Sequence, residues 1–134
     1  MKFIPLFALV LVAALSLSLQ ACKNTLDSAT GQSSIVFPSS NVSYSKQVQP
    51  LFNITCTYSG CHDDGTQAGG LSLTNYFSLI SAPGVVVPKD TTHSILIQRI
   101  EGLGPIMPPP PFSPLNANQI QGIKTWVIEG AKYN

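Results

Sequence analysis

The sequence predicts a small, mostly helical domain with long loops rich in glycine and proline. Four stretches place apolar residues at helical spacing, and three of them begin beside a residue type that commonly caps helices. Between them lie loops whose glycine and proline content disfavours regular structure, at residues 65–70, 82–88 and 102–114. The chain has 134 residues, so a single domain is expected.

Caps and apolar faces define each predicted helix. A Ser, Thr, Asn or Asp side chain can accept a hydrogen bond from the first turn, and glycine favours the end of a helix. Apolar residues three or four positions apart supply the face that packs on the domain. The predicted helices are residues 45–52, residues 74–80 with Thr74 as cap, residues 90–100 with Asp90, Thr91 or Thr92 as cap, and residues 116–129 with Asn116 as cap.

Residues 1–21 have the features of a signal peptide. Lys2 supplies the positive flank, residues 3–19 are mostly apolar, and Leu19-Gln20-Ala21-Cys22 resembles a bacterial lipobox, in which the cysteine is lipidated. The alternatives are an ordinary signal peptide whose cleavage site precedes a cysteine, and a retained span, which about 17 apolar residues fit less well. We therefore expect a lipoprotein that carries its lipid on Cys22.

The mature chain is expected to divide into a tether and a domain. Residues 22–42 contain the lipidated cysteine and a stretch rich in Ser, Thr, Asn and Gly, which buries little apolar surface. Within this stretch, residues 35–37 could form a short strand or dock on the domain, which spans residues 43–134. Lys23 stands where some lipoproteins carry an aspartate that retains them at the inner membrane. We therefore expect an outer-membrane anchor facing the periplasm.

The motif at residues 56–62 carries most of the chemical information. It reads Cys-Thr-Tyr-Ser-Gly-Cys-His, with four residues between two thiols and an imidazole directly after the second. Covalent haem attachment uses two thiols for the porphyrin vinyl groups and an adjacent imidazole for the iron, usually as C-x-x-C-H. The two extra residues of this spacer must bulge outward, and Gly60 would allow such a bulge.

An exported pair of cysteines needs a partner group, because free thiols do not persist in an oxidising compartment. Cys56 and Cys61 are therefore expected either to hold haem through two thioethers or to form a disulfide. A disulfide would leave a haem-free envelope module with a structural or binding role, stabilised by on the order of 2 kcal/mol. Zinc is a third alternative, with His62 and His93 as further ligands, but the spacing is not one that zinc sites commonly use.

A haem iron bound by His62 also needs a second axial ligand. Met107 is the one methionine of the mature chain, and it lies in a proline-rich loop that should be stiff. A thioether opposite an imidazole raises the reduction potential, and a filled sixth position favours electron transfer over catalysis. The alternatives are that Met107 only fills the core, that His93 is the ligand, or that an open position serves a peroxidase or sensor.

The long loops favour a bound cofactor, and the net charge argues against a strongly charged partner. Loops this long are uncommon in so small a domain unless something organises them, and a flat apolar macrocycle could act as the missing core. Lys2 leaves with the signal, so six of the seven Lys and Arg residues remain against six Asp and Glu residues. No basic patch indicates nucleic acid, and bulk charge predicts no steering toward a strongly charged partner.

Six segments occur in an order that resembles a known family. They are residues 48–52, the Cys-x4-Cys-His motif, residues 69–73, residues 94–100, Met107-Pro108-Pro109 and residues 120–127. Together they resemble the small c-type cytochrome domains of the planctomycete-type cytochrome C group, also found in lipoproteins of Bacteroidetes, over residues 43–133. The resemblance implies a cytochrome c-like helical domain around one haem c, with thioethers at Cys56 and Cys61 and iron ligation by His62 and Met107.

The expected function is therefore electron transfer in the cell envelope by a lipid-anchored monohaem c-type cytochrome. Such a protein is not an enzyme, because the haem iron exchanges electrons without turning over a substrate. Its expected partners are redox proteins and, through the lipid, the membrane, with no nucleic acid among them.

Overall fold

Within the part of the chain that the structure describes, the secondary-structure elements are helices, and loops and turns connect them. The computed structural model describes residues 35–134, so the predicted signal peptide, the lipidated Cys22 and the tether up to residue 34 lie outside this range. Residues 35–134 form no strand, which confirms the predicted fold class, and none of their helices is long and apolar enough to cross a membrane. The elements are a π-helical turn Tyr44–Val48, α1 Gln49–Thr55, a 3-10 turn Ala68–Gly70, α2 Tyr76–Ser81, α3 Ile95–Ile100 and α4 Ala117–Ile128.

Local side-chain bonds fix the starts of α2 and α4. Asn116 caps α4 as predicted: its side chain accepts from the Gln119 N–H at 3.0 Å, and the Gln119 side chain accepts from the Asn116 N–H at 3.0 Å. The cap of α2 is Asn75 instead of the predicted Thr74. Thr74 donates its hydroxyl to Asp64 at 2.6 Å, so its oxygen serves the preceding loop and the helix begins one residue later.

Helix α3 begins later than its predicted caps. Asp90 accepts at Oδ1 from the N–H groups of Thr92 and His93, at 2.9 and 3.0 Å, which makes a turn. The buried Ser94 hydroxyl donates to the Asp90 carbonyl at 2.6 Å and accepts from the Val87 N–H at 2.9 Å. These bonds hold the chain before α3 in a folded loop, so the helix starts directly after Ser94.

The core is built around aromatic side chains. Trp126 on α4 and Tyr44 are almost fully buried, with ring centroids 5.5 Å apart. The Trp126 N–H donates to the Lys132 carbonyl at 3.0 Å, and the Tyr76 hydroxyl donates to the Ala131 carbonyl at 2.9 Å. Both polar groups are therefore satisfied by the segment that follows α4. Other fully buried large side chains are Leu51, Phe52, Leu79, Ile97 and Ile123.

The segment before the first helix is part of this core. Phe37 is only 3% exposed. Its N–H donates to Asn118 Oδ1 at 2.8 Å, and its carbonyl accepts from Asn118 Nδ2 at 3.0 Å. Its ring lies against Gly122 of α4, where a Cβ would overlap it. Of the two alternatives for residues 35–37, the structure therefore shows docking on the domain.

The substitution Gly122→Ala is expected to destabilise the protein, although alanine has the higher helix propensity by about 1 kcal/mol. The added Cβ overlaps Phe37, and overpacking of this kind costs about 1 to 3 kcal/mol. Chemical denaturation measures the free energy of unfolding. In a Phe37→Gly background, which also removes the Phe37 Cβ that would lie 2.3 Å from the added carbon, the same substitution should cost clearly less, and an equal loss in both backgrounds would contradict this packing.

Candidate functional site

Two cavities with shared walls lie beside the cysteine motif. Cavity 1, of about 120 Å³, and cavity 2, of about 300 Å³, are both lined by Cys56, His62, Ala68 and Met107. The other residues of cavity 1 are Thr55, Tyr58, Gly60, Cys61, Pro108, Pro109 and Phe112, and those of cavity 2 are Gly69, Leu71, Leu73, Val85, Ile95, Leu96, Arg99 and Ile100. The structure thus brings together all four residues for which haem roles were predicted. No Asp, Glu, Lys or Arg side chain is among the residues that line cavity 1.

The two cysteines are free thiols at the wall of cavity 1. Cys56 follows α1 directly, and both thiols are partly buried. Burial raises the pKa of the Cys56 thiol to about 11, while the Thr55 hydroxyl lowers this pKa and Cys61 raises it, both by less. Because the thiolate is the reactive form, a thiol of raised pKa oxidises slowly at neutral pH. The disulfide that the sequence leaves as an alternative is not formed in this structure.

The four-residue spacer bulges away from its ends. The His62 N–H donates to the Cys56 carbonyl at 3.1 Å, and the Cys61 N–H donates to the Tyr58 carbonyl at 2.9 Å. Gly60 has a φ of +88°, which L side chains rarely adopt, and a Cβ there would meet no atom within 4 Å. Glycine is therefore needed for its backbone conformation, and the bulge expected from the extra residues is present.

Three hydrogen bonds hold His62. Its ring Nδ1 lies 3.1 Å from the Leu71 carbonyl oxygen. Since a carbonyl can only accept, this contact requires a proton on Nδ1, and in the neutral ring the Nε2 atom then carries the lone pair. The His62 N–H is bound to the Cys56 carbonyl, and the His62 carbonyl accepts from the Leu73 N–H at 2.9 Å. Metal-binding histidines are commonly oriented in this way by a carbonyl on the second nitrogen.

Met107 reaches the cavities from the loop that follows α3. Its N–H donates to the Arg99 carbonyl at 3.0 Å, which ties the loop to that helix. Pro108 is buried, and the Met107–Pro108 peptide bond is cis. Arg99 lines cavity 2, and its guanidinium donates to the Leu103 carbonyl at 3.2 Å. The methionine is therefore held beside the same two cavities as His62.

His93 lines neither cavity. Its Nδ1 lies 2.7 Å from Asp90 Oδ2, and its side chain is 76% exposed. The structure therefore does not support His93 as an axial ligand. Within residues 35–134, no three His, Cys, Asp or Glu side chains are grouped to hold a metal ion, so the zinc alternative has no support either.

Two features of the site have no clear signal in the sequence. One is the Leu71 carbonyl, which any residue at that position would supply. The other is a stacked pair of rings, Tyr58 from the spacer and Phe112 from the proline loop, whose centroids are 5.8 Å apart. Aromatic residues in both loops are visible in the sequence, but their contact depends on how the loops meet.

These residues fit a haem. The walls are mostly apolar, which suits a flat macrocycle, and two thiols lie at cavity 1. Imidazole and thioether together form a donor set that haem iron uses in cytochromes c. Because the Leu71 carbonyl binds Nδ1 of His62, the Nε2 atom of the neutral ring is available to bind iron, and Met107 offers its sulfur as the second ligand.

A family model matches the middle of the chain. The model described as planctomycete cytochrome C matches residues 59–111, a range that contains Cys61, His62 and Met107 and begins three residues after Cys56. No curated protein and no solved structure matches the chain. The family match supports a cytochrome c-type domain and suggests haem binding and cytochrome-like electron transfer.

The substitution Gly60→Ala is expected to lower the free energy of unfolding by about 1 to 2 kcal/mol, because an L-residue is strained at positive φ. Gly60→Asn should cost less, since asparagine tolerates positive φ better. Ser59→Ala, at the exposed neighbouring position, is the control and should stay within about 0.5 kcal/mol of the unsubstituted protein. Urea denaturation compares the three variants, and equal effects would contradict the strained position.

Proposed function

We propose that this chain is a lipid-anchored monohaem c-type cytochrome that transfers electrons in the cell envelope. The observation that carries the proposal is that His62 and Met107 line the same two cavities, beside the Cys56 and Cys61 thiols. The match to planctomycete cytochrome C supports the coarser statement, a cytochrome c-type domain.

Cys56 and Cys61 would hold the haem covalently. Each thiol would add across one vinyl group, placing its sulfur on one vinyl carbon and its hydrogen on the other, so the attachment needs no oxidant. The spacer supports this role despite its length, because its closure through Cys56 and His62 keeps both thiols at the wall of cavity 1.

His62 and Met107 would be the axial ligands. His62 would bind the iron through Nε2, with its ring orientation fixed by the Leu71 carbonyl. Met107 would offer its thioether, a soft ligand that favours ferrous iron and raises the reduction potential. A haem bound here supplies a one-electron iron couple. Because His62 and Met107 would together leave the iron no open position for a substrate, we propose electron transfer and no enzymatic reaction.

The lipid on Cys22 would keep the domain at the membrane. The proposed location is the outer membrane, with the domain facing the periplasm. The lipobox-like residues 19–22 and the lysine that follows them support this part of the proposal. The partners would be redox proteins of the same compartment, which exchange one electron at a time with the haem.

The protein produced with a c-type maturation system is expected to carry one haem and one lipid covalently. The intact mass of denatured, membrane-purified protein should equal the chain from residue 22 plus both groups. The double variant Cys56→Ala, Cys61→Ala should keep the lipid and carry no haem, and Cys22→Ser should keep the haem and carry no lipid. If the unsubstituted protein lacks the haem mass, a haem-free module with a Cys56–Cys61 disulfide becomes the better proposal.

The substitution Met107→Ala is expected to abolish the weak far-red absorption band of sulfur-ligated ferric haem and to lower the reduction potential. His93→Ala is the matched control and should leave both unchanged, because that ring is bound to Asp90 and lines neither cavity. Absorption spectra and a redox titration measure the two effects. Survival of the far-red band in Met107→Ala would show that another residue is the ligand.

A further inference from the structure

We propose that Tyr58 and Phe112 form a clamp that holds the Met107 loop against the cysteine motif. These two rings form the 58/112 stack. Both are positioning residues, which act on the iron ligand through the loop that carries it. This inference rests on the proposed function, because it takes Met107 as an axial ligand.

The stack joins the two loops that supply the site. The Tyr58 and Phe112 ring planes are inclined by only 15°, with centroids 5.8 Å apart, within the range that favours aromatic pairs. Both rings line cavity 1. Tyr58 is 47% exposed and Phe112 46%, so burial in the core does not account for their contact. Their contact therefore joins the spacer to the proline loop at the wall of cavity 1.

Tyr58 is a fixed partner for this contact. Its hydroxyl donates to the Ile54 carbonyl in α1 at 2.5 Å, and its own carbonyl accepts from the Cys61 N–H at 2.9 Å. The hydroxyl thereby ties the ring to the helix that precedes the motif, and the carbonyl ties the Tyr58 backbone to the backbone of Cys61. Tyr58 belongs to the four-residue spacer, so the unusual length of the spacer supplies the residue that makes the clamp.

The loop that carries Met107, residues 107–112, has few backbone groups with which to bind the rest of the domain. Residues 108–111 are all proline and offer no N–H donors, so they cannot donate backbone hydrogen bonds to the domain. The Met107 N–H ties the start of the loop to Arg99, at 3.0 Å. At its other end the Phe112 N–H donates to the Pro109 carbonyl at 3.0 Å, which lies within the loop itself. The 58/112 stack links this end of the loop to the cysteine motif.

Loss of either ring should therefore free Met107 to leave the iron more often. Imidazole added to the solution competes with Met107 for the iron, so its apparent affinity measures how often Met107 leaves. Removal of an aromatic pair is expected to raise the apparent affinity of the ferric protein for imidazole by about two- to twelve-fold.

The experiment titrates the haem-loaded ferric protein with imidazole and follows the loss of the far-red band. Tyr58→Ala and Phe112→Leu should each bind imidazole more tightly by this factor, while Tyr58→Phe, which keeps the ring and loses only the hydroxyl bond to Ile54, should have a smaller effect than Tyr58→Ala. Phe77→Ala is the control, because Phe77 is 69% exposed and lines neither cavity. Haem content and circular dichroism establish folding, and Tyr58→Leu replaces Tyr58→Ala if the latter does not fold.

The double variant tests whether the two rings act as one unit. In Tyr58→Ala combined with Phe112→Leu, the affinity for imidazole should be no higher than in the stronger single variant, because the stack is already lost. Effects that add in the double variant would overturn the clamp.

The outcomes separate this inference from the proposed function. If the unsubstituted protein shows the far-red band and the single variants bind imidazole as it does, the clamp is overturned and Met107 remains the ligand. Slower exchange with a redox partner at unchanged imidazole affinity would also overturn it, since the rings would then be a docking surface. If the unsubstituted protein lacks attached haem or the far-red band, both proposals fail together.

Discussion

The three hydrogen bonds of His62 are the constraint on which the rest of the site depends. Its N–H closes the spacer on the Cys56 carbonyl, and its carbonyl closes the following loop through the Leu73 N–H. Its ring is bound to the Leu71 carbonyl inside that same loop. Each bond contributes modestly, about 0.5 to 1.5 kcal/mol, but the imidazole cannot turn without leaving a carbonyl unpaired. One residue thereby fixes both the path of two loops and the direction of its own Nε2.

The long loops of the domain are held by polar side chains. Their length had suggested that a macrocycle would organise them. Asp64 accepts hydroxyl bonds from Thr74 at 2.6 Å and from Ser72 at 2.7 Å, and these two bonds lower the pKa of Asp64. Ser94 ties together the loop before α3, and Glu129 accepts from two backbone N–H groups near the start of the domain. Loop length alone is therefore weak evidence for a cofactor. The donor set at the two cavities carries that argument instead.

Local features were predictable from the sequence and distant contacts were not. Asn116 and Gln119 form a capping box within one turn of chain, so their pattern is visible without a structure. The start of α3 was predicted too early because Asp90 is as suitable for a turn as for a cap, and the buried Ser94 favours the turn. Phe37 lies in a stretch whose composition suits a tether, and only its fit against Gly122 brings it into the core. The cysteine motif and Met107 were found from residue type and spacing, but their meeting at shared cavities required the fold.

The uncharged wall of cavity 1 bears on the proposed encounter with redox partners. Attraction between oppositely charged surfaces speeds association by about 10- to 1000-fold, and the residues that line this cavity offer no such attraction. Confinement to a shared membrane surface can also speed association, because it raises the effective concentration of neighbouring proteins. Under the proposed lipid anchor, the rate at which partners reach cavity 1 would therefore depend on diffusion along the membrane and would vary little with ionic strength.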